Sequence, residues 1–159
     1  MNSISLINKE KLSLIIKFID DNKDGYNYFK KIGWSLKNIE SQLNKVNNYS
    51  LGYFKANNLV GLLIGDAIQN DKDYDLELHI LFVSKDQRRK QIATKLLNYV
   101  EKNKIKFSQI FIEVAEDNLD AISFYNKNNF VFLNLRHNYY RYNDRNVDAK
   151  CFIKKINHE

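Results

Sequence analysis

The chain has 159 residues, a mass of 18.9 kDa, 44% hydrophobic and 28% charged residues, and a formal net charge of +6. Ten Phe and ten Tyr residues exclude a disordered chain, and the absence of proline excludes collagen-like repeats and proline-rich linkers. A single cysteine cannot form an internal disulfide or a multi-thiolate zinc site, and no apolar run approaches the ~20 residues of a membrane span. We therefore expect one cytoplasmic domain over residues 1–159, with no membrane partner.

The first half of the chain predicts two helices and an antiparallel start to a sheet. A strand over residues 3–7 precedes a helix that Asn8 can cap, and the polar run 20–25 ends this helix. A second helix begins at Ser35 and repeats apolar residues at three- and four-residue steps. Strands are then expected over residues 49–55, 59–68 and 74–83, with the first two joined as a hairpin.

The second half alternates between helices and strands. Helices are predicted over residues 89–103 and 119–128, and strands over 107–114, 130–140 and 149–156, the last two joined by a polar loop over 141–148. Alternation after an antiparallel start predicts a mixed α/β sheet packed in layers.

Positive charge is concentrated where the strand ending at Val83 meets the following helix. Residues 85–106 contain eight basic and two acidic side chains, an excess that equals the net charge of the whole chain. The unpaired N–H groups of a helix's first turn bind phosphate oxygens, so this segment suits a phosphorylated ligand, although a solvated basic face is the simpler interpretation. No glycine follows Gly65, which excludes a P-loop and a dinucleotide-binding fingerprint.

Two motifs resemble those of a known family. Residues 83–97 are similar to the acetyl-CoA signature of the GNAT N-acetyltransferases, Gln/Arg-x-x-Gly-x-Gly/Ala, with Arg88 and Ala93 at its ends. The strand that contains Glu113, then Asn118, then residues 121–130 resemble the second signature, in which a Glu-Val strand leads to a Phe-Tyr-x-Lys-x-Gly-Phe helix end. Gln91 and Asn129 stand where the family has glycine.

Within this family, the chain most resembles the bacterial ribosomal-protein alanine N-acetyltransferases. Residues 33–35 are similar to their Pro-Trp-Ser, residues 136–140 to their Arg-x-Asn-Tyr-Tyr, and Asp148-Ala149 to their Asp-Ala. The resemblance implies a mostly antiparallel seven-stranded sheet flanked by about four helices and splayed where acetyl-CoA binds. It also implies transfer of acetyl to a primary amine, most naturally a protein N-terminal α-amine.

The resemblance assigns roles to individual residues. Glu113 is expected to act as the base and Tyr125 as the acid, with Glu77 as a second carboxylate or alternative base. Trp34, Tyr139 and Tyr140 are expected to bind the acceptor. The expected acetyl-CoA ligands are Leu81, Phe82, Val83, Arg88, Arg89, Lys90, Gln91, Ile92, Ala93, Thr94, Asn118 and Lys127, with the Gln91 side chain turned away from the pyrophosphate.

Several alternatives remain open at this stage. The acceptor can instead be a small amine such as a polyamine or aminoglycoside, and the domain can bind CoA or RNA without catalysis. Asn118 can equally be a pure helix cap. His79, His137 and His158 are far apart in the sequence, and Cys151 alternates with apolar residues, so we expect no metal site and no cysteine nucleophile. The chain is expected to be a monomer or homodimer.

Overall fold

A computed structural model of the chain describes residues 1–158. The strands are β1 (Asn2–Leu6), β2 (Asn48–Lys55), β3 (Asn58–Gln69), β4 (Tyr74–Val83), β5 (Phe107–Ala115), β6 (Val131–Tyr142) and β7 (Arg145–Lys155). The helices are α1 (Leu12–Asp21), α2 (Lys23–Lys31), α3 (Leu36–Leu43), α4 (Ile92–Lys102) and α5 (Leu119–Lys127). Short 3-10 turns occupy Lys9–Lys11 and Lys85–Gln87.

The seven strands form one sheet in the order β1-β2-β3-β4-β5-β7-β6. Every neighbouring pair is antiparallel except β4 and β5, which are parallel because α4 carries the chain back across the sheet. This confirms the predicted seven-stranded, mostly antiparallel mixed sheet.

Apolar side chains pack on both faces of the sheet. Helices α1 to α3 cover one face with residues such as Ile15, Phe18 and Ile39, while α4 and α5 cover the other with Leu96 and Tyr125. The sheet therefore has a helical layer on each side, and its strand ends remain open.

Helix α2 is the one helix beyond the four that the sequence predicts. The polar run 20–25 is predicted to end the first helix, and α1 does end there at Asp21, but α2 begins at Lys23, directly after the shared cap Asn22. Tyr26 explains the difference because its fully buried ring packs against Phe82 at 5.8 Å between ring centroids, and this tertiary contact outweighs the weak local propensity.

The expected polar loop over residues 141–148 is instead a tight hairpin. β6 continues to Tyr142 and β7 begins at Arg145, so only Asn143 and Asp144 form the turn. Both have left-handed φ values, 53° and 57°, as a two-residue hairpin turn requires. The β2–β3 hairpin, which the sequence predicts, turns in the same way at Ala56 and Asn57.

No helix within residues 1–158 is long and apolar enough to cross a membrane.

Candidate active site

The sheet opens between its two parallel strands. The pairing of β4 with β5 ends at Leu78 and Ile112. β4 nevertheless continues to Val83 and β5 to Ala115. Beyond the last pair the two strands diverge, and in the described part of the chain their facing backbone groups have no strand partner. The predicted splay is thus present, and it forms a wedge between the unpaired ends of β4 and β5.

A cleft of about 1070 Å³ lies on the α1–α3 side of this opening. Its wall comes from α3, the segments on either side of α3, and strands β3 to β7. Five residues predicted to act in catalysis or acceptor binding line it together, namely Trp34, Glu77, Glu113, Tyr139 and Tyr140. The sequence therefore identified residues from four separate segments that the fold brings to one cavity.

Glu113 is a half-buried carboxylate that is already paired. Its Oε1 accepts a hydrogen bond from the guanidinium of Arg136, and this guanidinium lies 4.1 Å from the centre of the Tyr139 ring. The hydrogen bond and the charge of Glu113 raise the pKa of Arg136. Arg136 therefore orients the predicted base and connects it to the rim of the cleft.

A wide bulge in β6 shapes this rim. Three residues of β6, His137 to Tyr139, lie opposite the single residue Asp148 of β7. The Asp148 carboxylate accepts a hydrogen bond from the amide of Asn138 at 2.8 Å and lies 2.9 Å from His137 Nδ1, and these two contacts lower the pKa of Asp148. Adjacent residues of a regular strand point to opposite faces, but Tyr139 and Tyr140 both line the cleft.

Asp66 organises a hydrogen-bonded network in the cleft wall. Its Oδ1 accepts a hydrogen bond from Gln42 Nε2, while its Oδ2 lies 3.0 Å from His79 Nε2 and 3.2 Å from Lys45 Nζ. Burial favours the neutral carboxyl, but the hydrogen bonds from His79, Gln42 and Lys45 outweigh it and lower the pKa of Asp66. Polar atoms of Glu77, Asp66 and His79 lie within 4.8 Å of one another, and hydrogen bonding accounts for the contact between the last two.

Tyr125 lies on the opposite side of the sheet, in the core formed by α4 and α5. Its ring packs against Phe124 and Phe130 at 5.3 and 5.1 Å between centroids. Burial raises the pKa of its hydroxyl, with a further contribution from Tyr28. The hydroxyl therefore stays protonated at neutral pH, as a proton donor must.

Tyr28, on the unpredicted helix α2, reaches the divergent end of β5. Its hydroxyl accepts a hydrogen bond from the amide of Ala115 at 3.2 Å, and Asn118 forms a second hydrogen bond with it. Asn118 also caps α5 by accepting a hydrogen bond from the amide of Ala121 at 3.3 Å. The capping role that the sequence left open for Asn118 is therefore present.

The basic segment after β4 differs from its predicted form. A helix was expected to begin near Arg89, but α4 begins at Ile92, because Arg89 and Gln91 adopt left-handed φ values of 61° and 60°. Gln91 is the exposed N-cap of α4 and makes no side-chain capping bond. The first intrahelical bond comes from the amide of Lys95, so the amides of the preceding first turn remain available for an anion.

Arg88 folds back onto the end of β4. Its Nε donates to the carbonyl of Val83 at 3.2 Å and its guanidinium lies 5.8 Å from the centre of the Phe82 ring. The Phe82 side chain itself is buried in the α1–α3 core, so it is not exposed to a ligand in the wedge. Arg88 thus holds the strand end as well as contributing positive charge.

The remaining predicted acetyl-CoA ligands lie around the start of α4. Arg89, Lys90 and Lys127 are exposed, and Lys90 Nζ donates to Gln87 Oε1 at 3.2 Å. The Thr94 hydroxyl donates to Asn128 Oδ1 at 3.2 Å, which joins α4 to the end of α5. Cys151 lines the cleft opposite Glu113 in the β5–β7 register, and burial raises the pKa of its thiol.

Sequence reasoning missed several side chains at this site. His79 is considered in the sequence only as a metal ligand, and Asp66, Tyr28 and Lys45 are not singled out. Pairing of β3 with β4 brings Asp66 and His79 together across thirteen positions, aided by a register shift next to His79. No pattern in the local sequence predicts such a contact.

The chain matches the model of the acetyltransferase (GNAT) family over residues 15–130. It belongs to the GNAT acetyltransferase family. This GNAT chain is accordingly an acetyltransferase whose acetyl donor is acetyl-CoA. No curated protein matches it significantly in sequence.

Solved structures of acetyltransferases share its fold. A probable acetyltransferase from Staphylococcus epidermidis has a TM-score of 0.80 at 18% identity, with 99% of this chain and 100% of that chain covered. The ribosomal-protein-S18-alanine N-acetyltransferase from Escherichia coli has a TM-score of 0.75 at 20% identity, covering 100% and 96%. Arabidopsis thaliana NAA60 in complex with acetyl-CoA has a TM-score of 0.77 at 18% identity, covering 99% and 100%. At these identities the likeness establishes the fold.

Proposed function

We propose that this GNAT chain acetylates the N-terminal α-amine of a protein, in the manner of the ribosomal-protein alanine enzymes. The observation that carries the proposal is the β6 bulge, which sets Tyr139 and Tyr140 side by side at the rim of the cleft, next to Glu113. Two adjacent tyrosines on one wall give an extended peptide both ring surface and hydroxyl groups. The likeness to the fold of the Escherichia coli ribosomal-protein-S18-alanine N-acetyltransferase agrees with this assignment.

In this proposal acetyl-CoA occupies the wedge between β4 and β5 and the start of α4. Bound there, it supplies an activated acetyl thioester. Leu81 and Val83 lie on the part of β4 whose β5 side is free, and can pair with an extended amide-containing arm as an added strand would. The free first-turn amides of Ile92 and Ala93, with Arg89 and the other basic residues nearby, suit the phosphates.

The two proposed proton-transfer groups lie on opposite sides of the sheet and flank this wedge. Glu113 lines the acceptor cleft, where it can hold a proton that the amine loses. Tyr125 lies on the α4–α5 side, where its protonated hydroxyl can supply a proton to the leaving sulfur. The divergence of β4 from β5 is the opening through which the acceptor and the donor can meet.

Glu77 provides a second carboxylate on the cleft wall. It pairs in register with Phe111, one position before the last β4–β5 pair, and it forms no salt bridge with residues 1–158. We propose that Glu77 binds the positively charged incoming amine. If Glu113 is dispensable, Glu77 is the alternative base.

Release of free thiol from acetyl-CoA tests the proposal. Peptides with a free N-terminal alanine are compared with the same peptides blocked at the N-terminus, and with spermidine. We expect turnover with the free peptides only. Turnover that is unaffected by the N-terminal block would contradict transfer to the α-amine.

A small polycationic amine is the second candidate acceptor. The observation that favours it is that Glu77 and Asp75 both line the cleft without a salt bridge among the described residues, so the cleft offers two carboxylates to a cation. Faster turnover with spermidine than with every peptide would favour this function.

A further inference from the structure

His79, which lines the acceptor cleft, forms a dyad with the buried Asp66 behind it. His79 lies on β4 beside a register shift in its pairing with β3, and its side chain is 17% exposed. Nε2 lies 3.0 Å from Asp66 Oδ2. Because Asp66 is ionised at neutral pH and can only accept, Nε2 carries the hydrogen and Nδ1 carries the lone pair. Nδ1 makes no hydrogen bond with residues 1–158.

The dyad is held from three directions. Gln42 is buried and donates through Nε2 both to Asp66 Oδ1 and to the carbonyl of Gly65, at 3.2 Å for the latter. Lys45 donates to the second oxygen of Asp66. The Trp34 ring lies against the imidazole at 5.0 Å between centroids, and an aromatic face stabilises a cation placed on it. Asp66 and Trp34 together favour the imidazolium once it forms.

Acetyl transfer to an amine requires more than one proton acceptor. An acceptor amine is an ammonium ion at neutral pH, and the nitrogen loses two protons in becoming an amide. The first must leave before the lone pair can attack, and the second leaves as the C–N bond forms. One carboxylate, already paired with Arg136, serves only one of these events at a time.

We propose that His79 accepts the first of these protons, with Asp66 as the positioning residue that fixes its tautomer. The ammonium N–H bond breaks, the proton bonds to Nδ1, and the electron pair remains on the amine nitrogen. Solvent then takes the proton from Nδ1, which is the one proton the overall reaction releases. Glu113 takes the second proton, which is balanced by the proton that the leaving thiolate gains. This inference rests on the proposed transfer to an amine.

The charge environment of His79 determines its pH response. The charged or titratable groups that line the cleft around it are Lys45 after α3, Asp75 and Glu77 of β4, Glu113 of β5, Arg136, Tyr139 and Tyr140 of β6, and Cys151 of β7, while Asp66 of β3 contacts it directly. Asp66 and Glu77 are the nearest, and both stabilise the imidazolium. Asp66→Asn removes one of these two negative charges, so we expect the acidic limb of the rate to move to lower pH.

The test combines kinetics with nitrogen NMR of the histidine side chains. The profile of kcat/KM against pH is measured for the wild type, Asp66→Asn, His79→Gln and the control His158→Gln, whose ring contacts a backbone carbonyl outside the cleft. The ¹⁵N shifts of His79 in the wild type and Asp66→Asn report its tautomer and its titration without turnover. The comparison of the wild type with Asp66→Asn tests the proposal even if His79→Gln fails to fold.

The proposal predicts a protonated Nε2 in the neutral imidazole and an acidic limb of kcat/KM that coincides with the NMR titration of His79. Asp66→Asn should move the limb and the titration to lower pH together, and His158→Gln should move neither. His79→Gln should lower kcat/KM at neutral pH by ~10²–10⁴-fold and recover as the free amine becomes neutral at high pH.

Two results would overturn it. The first is a hydrogen on Nδ1 of the neutral ring. The second is a limb that stays in place in Asp66→Asn while the His79 titration shifts, or that persists in His79→Gln. Either result leaves acetyl transfer by the wild type standing, whereas absence of transfer to any amine by the wild type removes the proposed function and this inference together.

Discussion

His79 and Glu113 stand opposite each other as the first residues of β4 and β5 beyond their last paired positions. Both side chains line the acceptor cleft. One is held by Asp66 from the neighbouring strand β3 and the other by Arg136 from β6. The point where the sheet opens therefore has a proton acceptor on each edge, each with its own counter-charge.

Glu113→Gln should lower kcat by ~10²–10⁴-fold, because the amide keeps the volume and can still accept a hydrogen bond from Arg136 but cannot take a proton. High pH should restore little of this rate, because a neutral amine still has to lose the second proton, which Glu113 takes. Acetyl-CoA affinity, measured by calorimetry, should be unchanged. An unaltered kcat in this variant would remove Glu113 from the chemistry and make Glu77 the base to test.

Tyr125→Phe should lower kcat by a similar factor without recovery at high pH, because the missing proton for the leaving sulfur is a separate defect. The substitution keeps the ring that packs against Phe124 and Phe130, so Tm should change little. Stopped-flow measurement of thiol release is the readout. A wild-type rate in Tyr125→Phe would show that the hydroxyl only fills space.

Asp148→Asn should raise KM for peptide acceptors and leave the affinity for acetyl-CoA unchanged, because it weakens the hydrogen bonds that fix the β6 bulge and the two tyrosines. The lowered pKa of Asp148 means that the carboxylate supports the bulge above its ordinary titration range and loses this role as the pH falls through its folded-state value. Asp144→Asn in the nearby turn is the matched control. Equal KM values for the two variants would show that the bulge plays no part in acceptor binding.

Gln91→Gly should stabilise the fold slightly and bind acetyl-CoA as well as or better than the wild type. A left-handed non-glycine residue costs roughly 1–2 kcal/mol, and the greater freedom of glycine in the unfolded chain offsets about half of this gain. Calorimetric unfolding should show a rise in Tm of about 2–4 °C for each kcal/mol gained. A large loss of acetyl-CoA affinity would identify the Gln91 side chain as a ligand.

Arg88→Glu should weaken acetyl-CoA binding by roughly 10- to 100-fold, as expected for losing a charge-assisted contact near the phosphates and the tie to the Val83 carbonyl. Lys104→Glu makes the same change of charge beyond the far end of α4, and it should have a much smaller effect that disappears in salt. Equal effects from the two substitutions would indicate a long-range electrostatic attraction rather than a specific phosphate-binding site at the start of α4.

The strands of the sheet and the segments that form the site could be predicted because each depends on a short stretch of neighbouring residues. Apolar runs and turn residues mark β2 to β5, and the motif around Glu113 lies on one strand. The left-handed backbone at Arg89 and Gln91 was missed, since neither residue type favours it and glycine, the usual signal, is missing there.

Contacts that depend on strand pairing across the sheet could not be predicted from neighbouring residues in the sequence. The Asp66–His79 contact requires the β3–β4 register with its shift, and the Arg136–Glu113 contact requires both β5–β7 and β7–β6 pairing. Helix α2 forms because Tyr26 is buried beneath it, which its polar sequence does not reveal.

The identity of the acetylated nitrogen tests the central claim most directly. A peptide with a free N-terminal alanine and one internal lysine is incubated with the enzyme and acetyl-CoA, and tandem mass spectrometry locates the acetyl group. We expect acetylation of the α-amine alone, and the same kcat/KM when the lysine is replaced by arginine. Acetyl on the lysine side chain, or a higher kcat/KM for spermidine than for the peptide, would contradict it.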